Sequence, residues 1–113
     1  MKLRNKIKKE AIITIRTRPE DISIEGNASA IDSETDAKIA ADIREQLENG
    51  NEWAWCAVEV LATWEGLEAS DHIGACSYSS EADFKTGGYY DDMVNSCIDQ
   101  LEQMANRVSR AVR

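Results

Sequence analysis

Apolar and polar residues alternate over several stretches of the chain, and this period of two predicts β-strands. Residues 11–17, AIITIRT, are rich in β-branched side chains and predict a first strand. Arg18-Pro19 should end it, because proline lacks a backbone N–H and restricts the residue before it. Residues 22–25, ISIE, alternate again and predict a second, short strand.

The longest alternating run covers residues 53–65, WAWCAVEVLATWE. One of its faces is uniformly apolar and consists of Cys56, Val58, Val60, Ala62 and Trp64. Trp53 and Trp55 fall on the other, mixed face. Residues 66–70, GLEAS, predict a five-residue hairpin loop, and residues 71–78 then return as the next strand.

The register of this predicted hairpin assigns partners across the two strands. If Glu65 faces Asp71, Val60 faces Cys76, which keeps the apolar face continuous. His72, the only histidine, then faces Trp64 on the apolar side. We therefore expect His72 to be partly buried and structural rather than catalytic.

Apolar residues at helical spacing predict a first helix. It should begin at Ser33, with Asp36 at capping-box spacing, and end at Asn49-Gly50. Its apolar stripe consists of Ile39, Ala40, Ile43 and Leu47. Residues 79–84, SSEADF, predict a capped helical turn with Ser80 and Asp83 at capping-box spacing.

A second long helix is predicted from Tyr89 to about Arg110. Its apolar residues follow a heptad seam of Tyr90, Val94, Cys97, Leu101, Met104, Val108 and Ala111. The element order is thus β-β-α-β-β-α. We expect a small α+β domain over residues 11–113, an antiparallel sheet with two helices packed on one face. Residues 1–10 are expected to form a basic, mobile N-terminal lead-in.

Charge is distributed unevenly along the 113 residues, which carry 21 acidic and 13 basic side chains for a net charge of −8. Residues 19–106 hold 20 of the acids against only Lys38, Arg44 and Lys85. This balance excludes a basic nucleic-acid-binding domain, and no apolar run is long enough for a membrane span. Three cysteines are too few for a disulfide scaffold, so a cytoplasmic location is predicted.

Neither catalytic, cofactor nor metal motifs occur in the sequence, so we do not expect an enzyme. Cys56, Cys76 and Cys97 fall on predicted core faces without the CxxC spacing of a zinc site. Seven acids near the hairpin loop and the second long helix are the predicted partner-binding face: Glu65, Glu68, Asp71, Glu81, Asp83, Asp91 and Asp92. Trp53 and Trp55 are a second predicted contact surface.

The central sequence also resembles small, uncharacterised proteins found in bacteriophage and prophage genomes. The resembling motifs are WAWC, WEGLEAS-D, GACSY, SEADF and GGYYDDM. The resemblance covers about residues 20–105 and implies a phage context, in which small acidic proteins often inhibit host defence, as anti-CRISPR proteins do. It carries no site residue over to this chain.

These observations favour a non-enzymatic inhibitor in the host cytoplasm. Its acidic face would bind a host defence or nucleic-acid-handling protein through a basic groove, as a nucleic-acid mimic. The second hypothesis is a protein that sequesters a small ligand. The third is a metal-dependent enzyme that uses the hairpin carboxylates. Neither direct nucleic-acid binding nor membrane binding is expected. A homodimer would form through the C-terminal helix or the Trp53/Trp55 face.

Overall fold

The structure is a computed structural model that describes the backbone of residues 3–112 and the side chains of residues 3–108. Its helices are α1 (Leu3–Glu10), α2 (Ser33–Glu48), α3 (Glu81–Thr86) and α4 (Tyr89–Val112). Its strands are β1 (Ile12–Pro19), β2 (Cys56–Trp64) and β3 (Leu67–Cys76), and a 3₁₀ turn, Glu52–Ala54, precedes β2. The strands form one antiparallel sheet in the order β1-β2-β3. The α+β class is confirmed, but the order β-β-α-β-β-α is not.

Two compact units, interleaved along the chain, make up the molecule. Unit 1 comprises the described parts of Met1–Arg16, Glu59–His72 and Gly88–Arg113. Unit 2 comprises Thr17–Val58 and Ile73–Gly87. Each strand of the sheet therefore contributes residues to both units.

Within the segment expected to be a mobile lead-in, Leu3–Glu10 form α1, which packs on α4 in unit 1, and residues 1 and 2 lie outside the described residues. Ile7 is completely buried, and Arg4 forms an ion pair with Asp99 of α4. The indole Nε1 of Trp64 donates a hydrogen bond of 2.9 Å to the carboxylate of Glu10. This helix was not predicted from the sequence, because half of its residues are basic and its apolar face consists largely of Ile7.

The apolar face of β2 is confirmed. Cys56, Val58, Val60 and Ala62 are buried, and Trp64 is half-buried. In unit 1 the thiol of Cys97 on α4 lies 3.5 Å from the carbonyl oxygen of Val60. The predicted seam of α4 is buried at Cys97 and Leu101, whereas Val108 is exposed, and Ala111 lies outside the described side chains.

The hairpin between β2 and β3 is confirmed, but its predicted five-residue loop is wrong. Glu65 and Gly66 form a two-residue turn in which both have positive φ, 51° and 77°, as a type I′ turn requires. This turn places Trp64 opposite Leu67 and shifts the predicted register. His72 is consequently exposed and pairs with Glu59 at 3.0 Å, so its expected burial on the apolar face is also wrong.

No strand forms at residues 22–25, and acidic side chains accept hydrogen bonds from the backbone at the start of this segment and just beyond its end. Glu20 accepts a hydrogen bond from the N–H of Ile22, and Asp36 accepts one from Gly26. Ile24 is buried while Ile22 is exposed, although alternation would place the two residues on the same face of a strand, and the backbone has no ladder partner in the three-stranded sheet. Alternation alone did not distinguish a strand from a loop that buries one side chain.

Val60→Asp tests the position of β2 in the core of unit 1. Val60 is completely buried, so the substitution places an unpaired charge in an apolar site. We expect the free energy of unfolding to fall by about 3–5 kcal/mol, measured by urea denaturation. The matched control is Thr14→Asp, at an exposed position on β1, which should cost about 1 kcal/mol or less. Equal losses for the two variants would contradict the assigned core.

Candidate binding site

The acidic excess of the chain belongs entirely to unit 2. Its sequence segments contain twelve acidic residues against four basic ones, whereas those of unit 1 contain nine of each. Unit 2 therefore carries the whole formal net charge of −8. The total over residues 19–106 hides this division because that range includes segments of both units.

Helix α2 presents a row of acidic side chains to solvent. Asp42, Glu45 and Glu48 are exposed and follow one another at intervals of three residues, so they are neighbours on the helix surface.

The predicted cap at Ser33 is wrong by one residue. The N-cap is Asp32, whose carboxylate accepts a hydrogen bond of 2.7 Å from the N–H of Thr35.

Most basic residues of unit 2 are already paired within the unit. Lys38 lies 3.5 Å from Glu34, and Lys85 lies 3.7 Å from Glu81. The guanidinium of Arg44 donates two hydrogen bonds of 2.6 Å to the carboxylate of Glu25. Hydrogen bonding to Arg44 lowers the pKa of Glu25 to about 2, so this pair stays ionised over the whole neutral range.

The segment between β1 and α2 is anchored by the buried carboxylate of Asp36. Its oxygens accept hydrogen bonds of 2.6, 2.8 and 3.0 Å from the backbone N–H groups of Gly26, Ala28 and Ser29. These bonds, that from Gly26 foremost, lower the pKa of Asp36. Asp36 was predicted to cap its own helix, but it satisfies the loop backbone instead.

Glu20 holds the start of the same segment. Its carboxylate accepts hydrogen bonds from the backbone N–H groups of Ala75 and Ile22, and the bond from Ala75 is the main reason that its pKa is lowered. The indole Nε1 of Trp55 donates a hydrogen bond of 2.9 Å to the carbonyl oxygen of Ile22. The segment is therefore tied at both of its sides by polar contacts within unit 2.

Between this segment and α2 lies a cleft of about 440 Å³, entirely within unit 2. Its volume is in the range of small-ligand sites, roughly 300–1,000 Å³. The apolar side chains that line it are Ile22, Ile24, Leu47 and Trp55. The charged residues that line it are Arg18, Glu20, Asp21, Arg44 and Glu52.

The seven predicted partner-binding acids do not form a face of one unit. Five of them, Glu65, Glu68, Asp71, Asp91 and Asp92, belong to unit 1, and Glu81 and Asp83 belong to unit 2.

Asp83 has a structural role. It accepts a hydrogen bond of 3.0 Å from Ser79, while the hydroxyl of Ser80 accepts one of 3.2 Å from the N–H of Asp83, which confirms the predicted cap of α3.

Trp53 and Trp55 are buried, so the predicted exposed tryptophan surface is wrong. The 3₁₀ turn ends at Ala54 and β2 begins only at Cys56, which removes both rings from the strand alternation. The ring of Trp53 packs on Phe84 with centroids 5.5 Å apart, and Tyr78 meets the Phe84 ring edge-on at 5.2 Å. Trp55 belongs to a core cluster with Ile24, Ala40, Ile43 and Ala54.

The outer side of the sheet in unit 1 contains one polar cluster. The carboxylate of Glu59, whose side chain is 11% exposed, lies 3.0 Å from Nε2 of His72 and 4.0 Å from the guanidinium of Arg16. The cluster links three strands across the sheet and is accounted for as a cross-strand polar pairing.

The three cysteines are buried and unpaired, as predicted. Burial raises the pKa of Cys56 and Cys97 to about 11 and also raises that of Cys76. Within the part of the chain that the structure describes, no group of three or more His, Cys, Asp or Glu residues is arranged to hold a metal ion. Nor is any described helix both long and apolar enough to cross a membrane.

The strongest acidic region was missed by the sequence interpretation. Residues 20–52 contain ten acids against two bases, a denser excess than the seven acids against Lys85 between residues 65 and 92. Counting charge in windows was sufficient to find it. The cleft, by contrast, depends on how the irregular segment folds and has no linear signal.

Comparisons of the chain with protein-family models, with curated proteins and with solved structures found no match.

The depressed pKa of Glu25 predicts how stability changes in acid. The unfolded chain takes up this proton near the ordinary value of 4.5, whereas the folded protein holds it off to about 2. Ionised Glu25 therefore stabilises the folded protein at pH values above 4.5, and this contribution is lost as the pH falls from 4.5 to about 2. We expect the acid-induced loss, measured by urea denaturation at stepped pH, to be smaller in Glu25→Gln. An identical pH dependence in the two proteins would contradict the role of the pair.

The raised thiol pKa values and the burial of the cysteines predict that the thiols react slowly with labelling reagents. Because the thiolate is the reactive form, all three cysteines should react slowly with a thiol reagent near neutral pH. After unfolding in guanidinium all three should react fully and rapidly. Rapid labelling of any cysteine in the native protein, located by mass spectrometry, would contradict its assignment to the core.

Proposed function

We propose that the protein is a non-catalytic binding protein whose acidic unit 2 engages a basic surface of a partner protein. The observation that carries this proposal is the placement of the whole net charge on unit 2, with exposed carboxylates along α2. A solubilising charge has no need to be confined to one unit. The charge-balanced unit 1 supplies an internal comparison.

The partner class follows from the chemistry of the surface. Proteins that handle nucleic acids bind phosphate backbones through grooves of lysine and arginine, and an acidic helix competes for the same groove. In the phage context implied by the resemblance, the partner is a host defence nuclease or effector complex. Occupation of its groove by unit 2 would block nucleic-acid binding without any reaction.

Electrostatic attraction of this kind acts mainly on the rate of association. Charges outside the contact also steer the encounter, so the association rate falls as ionic strength rises. A rate that is insensitive to salt is expected for an apolar interface instead. Salt dependence therefore distinguishes the acidic surface from an apolar contact face.

Binding of a small ligand is the second candidate function. The observation in its favour is the cleft of unit 2, which is of suitable volume and combines an apolar lining with charged groups. The surplus of acids among those groups disfavours a phosphorylated ligand. The cleft lining does not include Asp42, Glu45 or Glu48, so substitutions can separate the two functions.

Charge reversal tests the proposal with a matched control. Asp42→Lys, Glu45→Lys and Glu48→Lys are combined in the unit 2 variant, and Glu65→Lys, Glu68→Lys and Asp91→Lys in the unit 1 control. All six positions are exposed, so the stability cost should be within about 0.5 kcal/mol per site. Both variants change the net charge by the same amount.

Each protein is immobilised and exposed to extract of the bacterial host, and recovered proteins are assayed for duplex DNA binding by gel shift. We expect wild type and the unit 1 control to recover the same DNA-binding partner and to displace its DNA. The unit 2 variant should lose both properties while keeping its native circular dichroism spectrum. Unchanged recovery and competition by a folded unit 2 variant would refute the proposal.

A further inference from the structure

The lining of the cleft in unit 2 combines apolar side chains with more carboxylates than basic groups. The carboxylates of Asp21 and Glu52 form no hydrogen bond or ion pair with any residue that the structure describes, and both residues line the cleft. Arg44, which also lines it, is occupied by the two short hydrogen bonds to Glu25. Arg18 is the other basic residue of the lining, and the three carboxylates of Glu20, Asp21 and Glu52 outnumber the two arginines, so the cleft has an excess of negative charge beside an apolar surface.

The shape of the lining adds a second requirement for a guest. Ile22 is 46% exposed and Leu47 is half-buried, and both line the cleft together with the buried Trp55. An inorganic cation gains no binding energy from the apolar surface, and an anion is repelled by the surplus carboxylates. The fitting guest has an apolar stem that ends in a cationic group.

We propose that the cleft of unit 2 binds an arginine side chain of the basic partner, with its methylene stem against Ile22 and Leu47 and its guanidinium at the carboxylates of Asp21 and Glu52. This inference rests on the proposed function and identifies an anchor point for it. Arginine combines an apolar stem with a forked donor that matches a carboxylate. Arginine is also among the residues that most often dominate interface energetics by filling a pocket.

A model compound tests the cleft without the partner. The ¹⁵N-labelled protein is titrated with Nα-acetyl-arginine-N-methylamide and, separately, with the citrulline analogue, which has nearly the same shape but no charge. We expect the arginine compound to shift the indole resonance of Trp55 and the amide resonances of Ile22 and Leu47 in a saturable manner. The citrulline compound should bind more weakly by about fivefold or more.

Two sets of variants assign the effect to the cleft. The double variant Asp21→Asn/Glu52→Gln should weaken binding of the arginine compound by about two- to fivefold per carboxylate. Glu34→Gln removes one charge from α2 outside both the cleft lining and the row of Asp42, Glu45 and Glu48, and should leave this binding unchanged. The double variant should also dissociate faster from the partner recovered in the charge-reversal experiment, because loss of an anchor raises the dissociation rate.

The inference is overturned by any of three results. The first is that the arginine compound causes no saturable shifts at the cleft, and the second is that the arginine and citrulline compounds bind with equal affinity. The third is that the double variant dissociates from the partner at the wild-type rate. The third result, with the arginine compound still bound, would identify a site for a free cationic ligand. None of these outcomes refutes the role of the acidic helix, which fails only if the α2 charge-reversal variant keeps its partner.

Discussion

Three backbone N–H groups converge on the carboxylate of Asp36, and the arrangement of unit 2 depends on this interaction. The segment between β1 and α2 has neither helix nor strand to satisfy its backbone donors, so an internal acceptor is required. Asp36 supplies it from the first turn of α2 and thereby fixes the segment against the helix. Ile24 can then enter the core beside Ala40 and Ile43, and the cleft remains open between the segment and α2.

This use of acidic side chains divides the carboxylates of unit 2 into two classes. Glu20, Glu25, Asp32 and Asp36 accept hydrogen bonds that build the unit. Asp42, Glu45 and Glu48 on α2 are exposed and accept no hydrogen bond from the irregular segment; Asp42 accepts one of 2.8 Å from Gln46 on its own helix. The high acid content of the unit is thus partly architectural, and only the second class is available for a partner. A count of charges along the sequence does not separate these classes, because both consist of the same residue types.

How much the sequence predicts depends on whether a feature is local. The apolar face of β2 follows from strict alternation through Val58 and Val60, and α4 follows from its long apolar seam. Features that depend on partners distant in sequence were not predictable in this way. Asp36 stands at capping distance from Ser33, yet it binds a loop up to ten residues away.

The hairpin shows how a wrong local assignment spreads. Alternation through residues 53–65 gave no sign that the strand starts only at Cys56, so Trp53 and Trp55 were placed on an exposed face. Glu-Gly is an uncommon type I′ turn, and the longer loop chosen in its place displaced the register of β3. Cys76 is nevertheless buried, as predicted, because Ala75 adopts a positive φ of 53° just before it and the alternation of β3 shifts there.

The central claim is that the carboxylates of α2, rather than those of unit 1, meet the partner. Zero-length carbodiimide cross-linking of the complex tests it most directly, because the reagent joins a carboxylate only to an amine in contact with it. Peptide mapping should locate the cross-links to partner lysines at Asp42, Glu45 or Glu48. Cross-links confined to Glu65, Glu68, Asp91 or Asp92 would contradict the account, since they would place the interface on the charge-balanced unit.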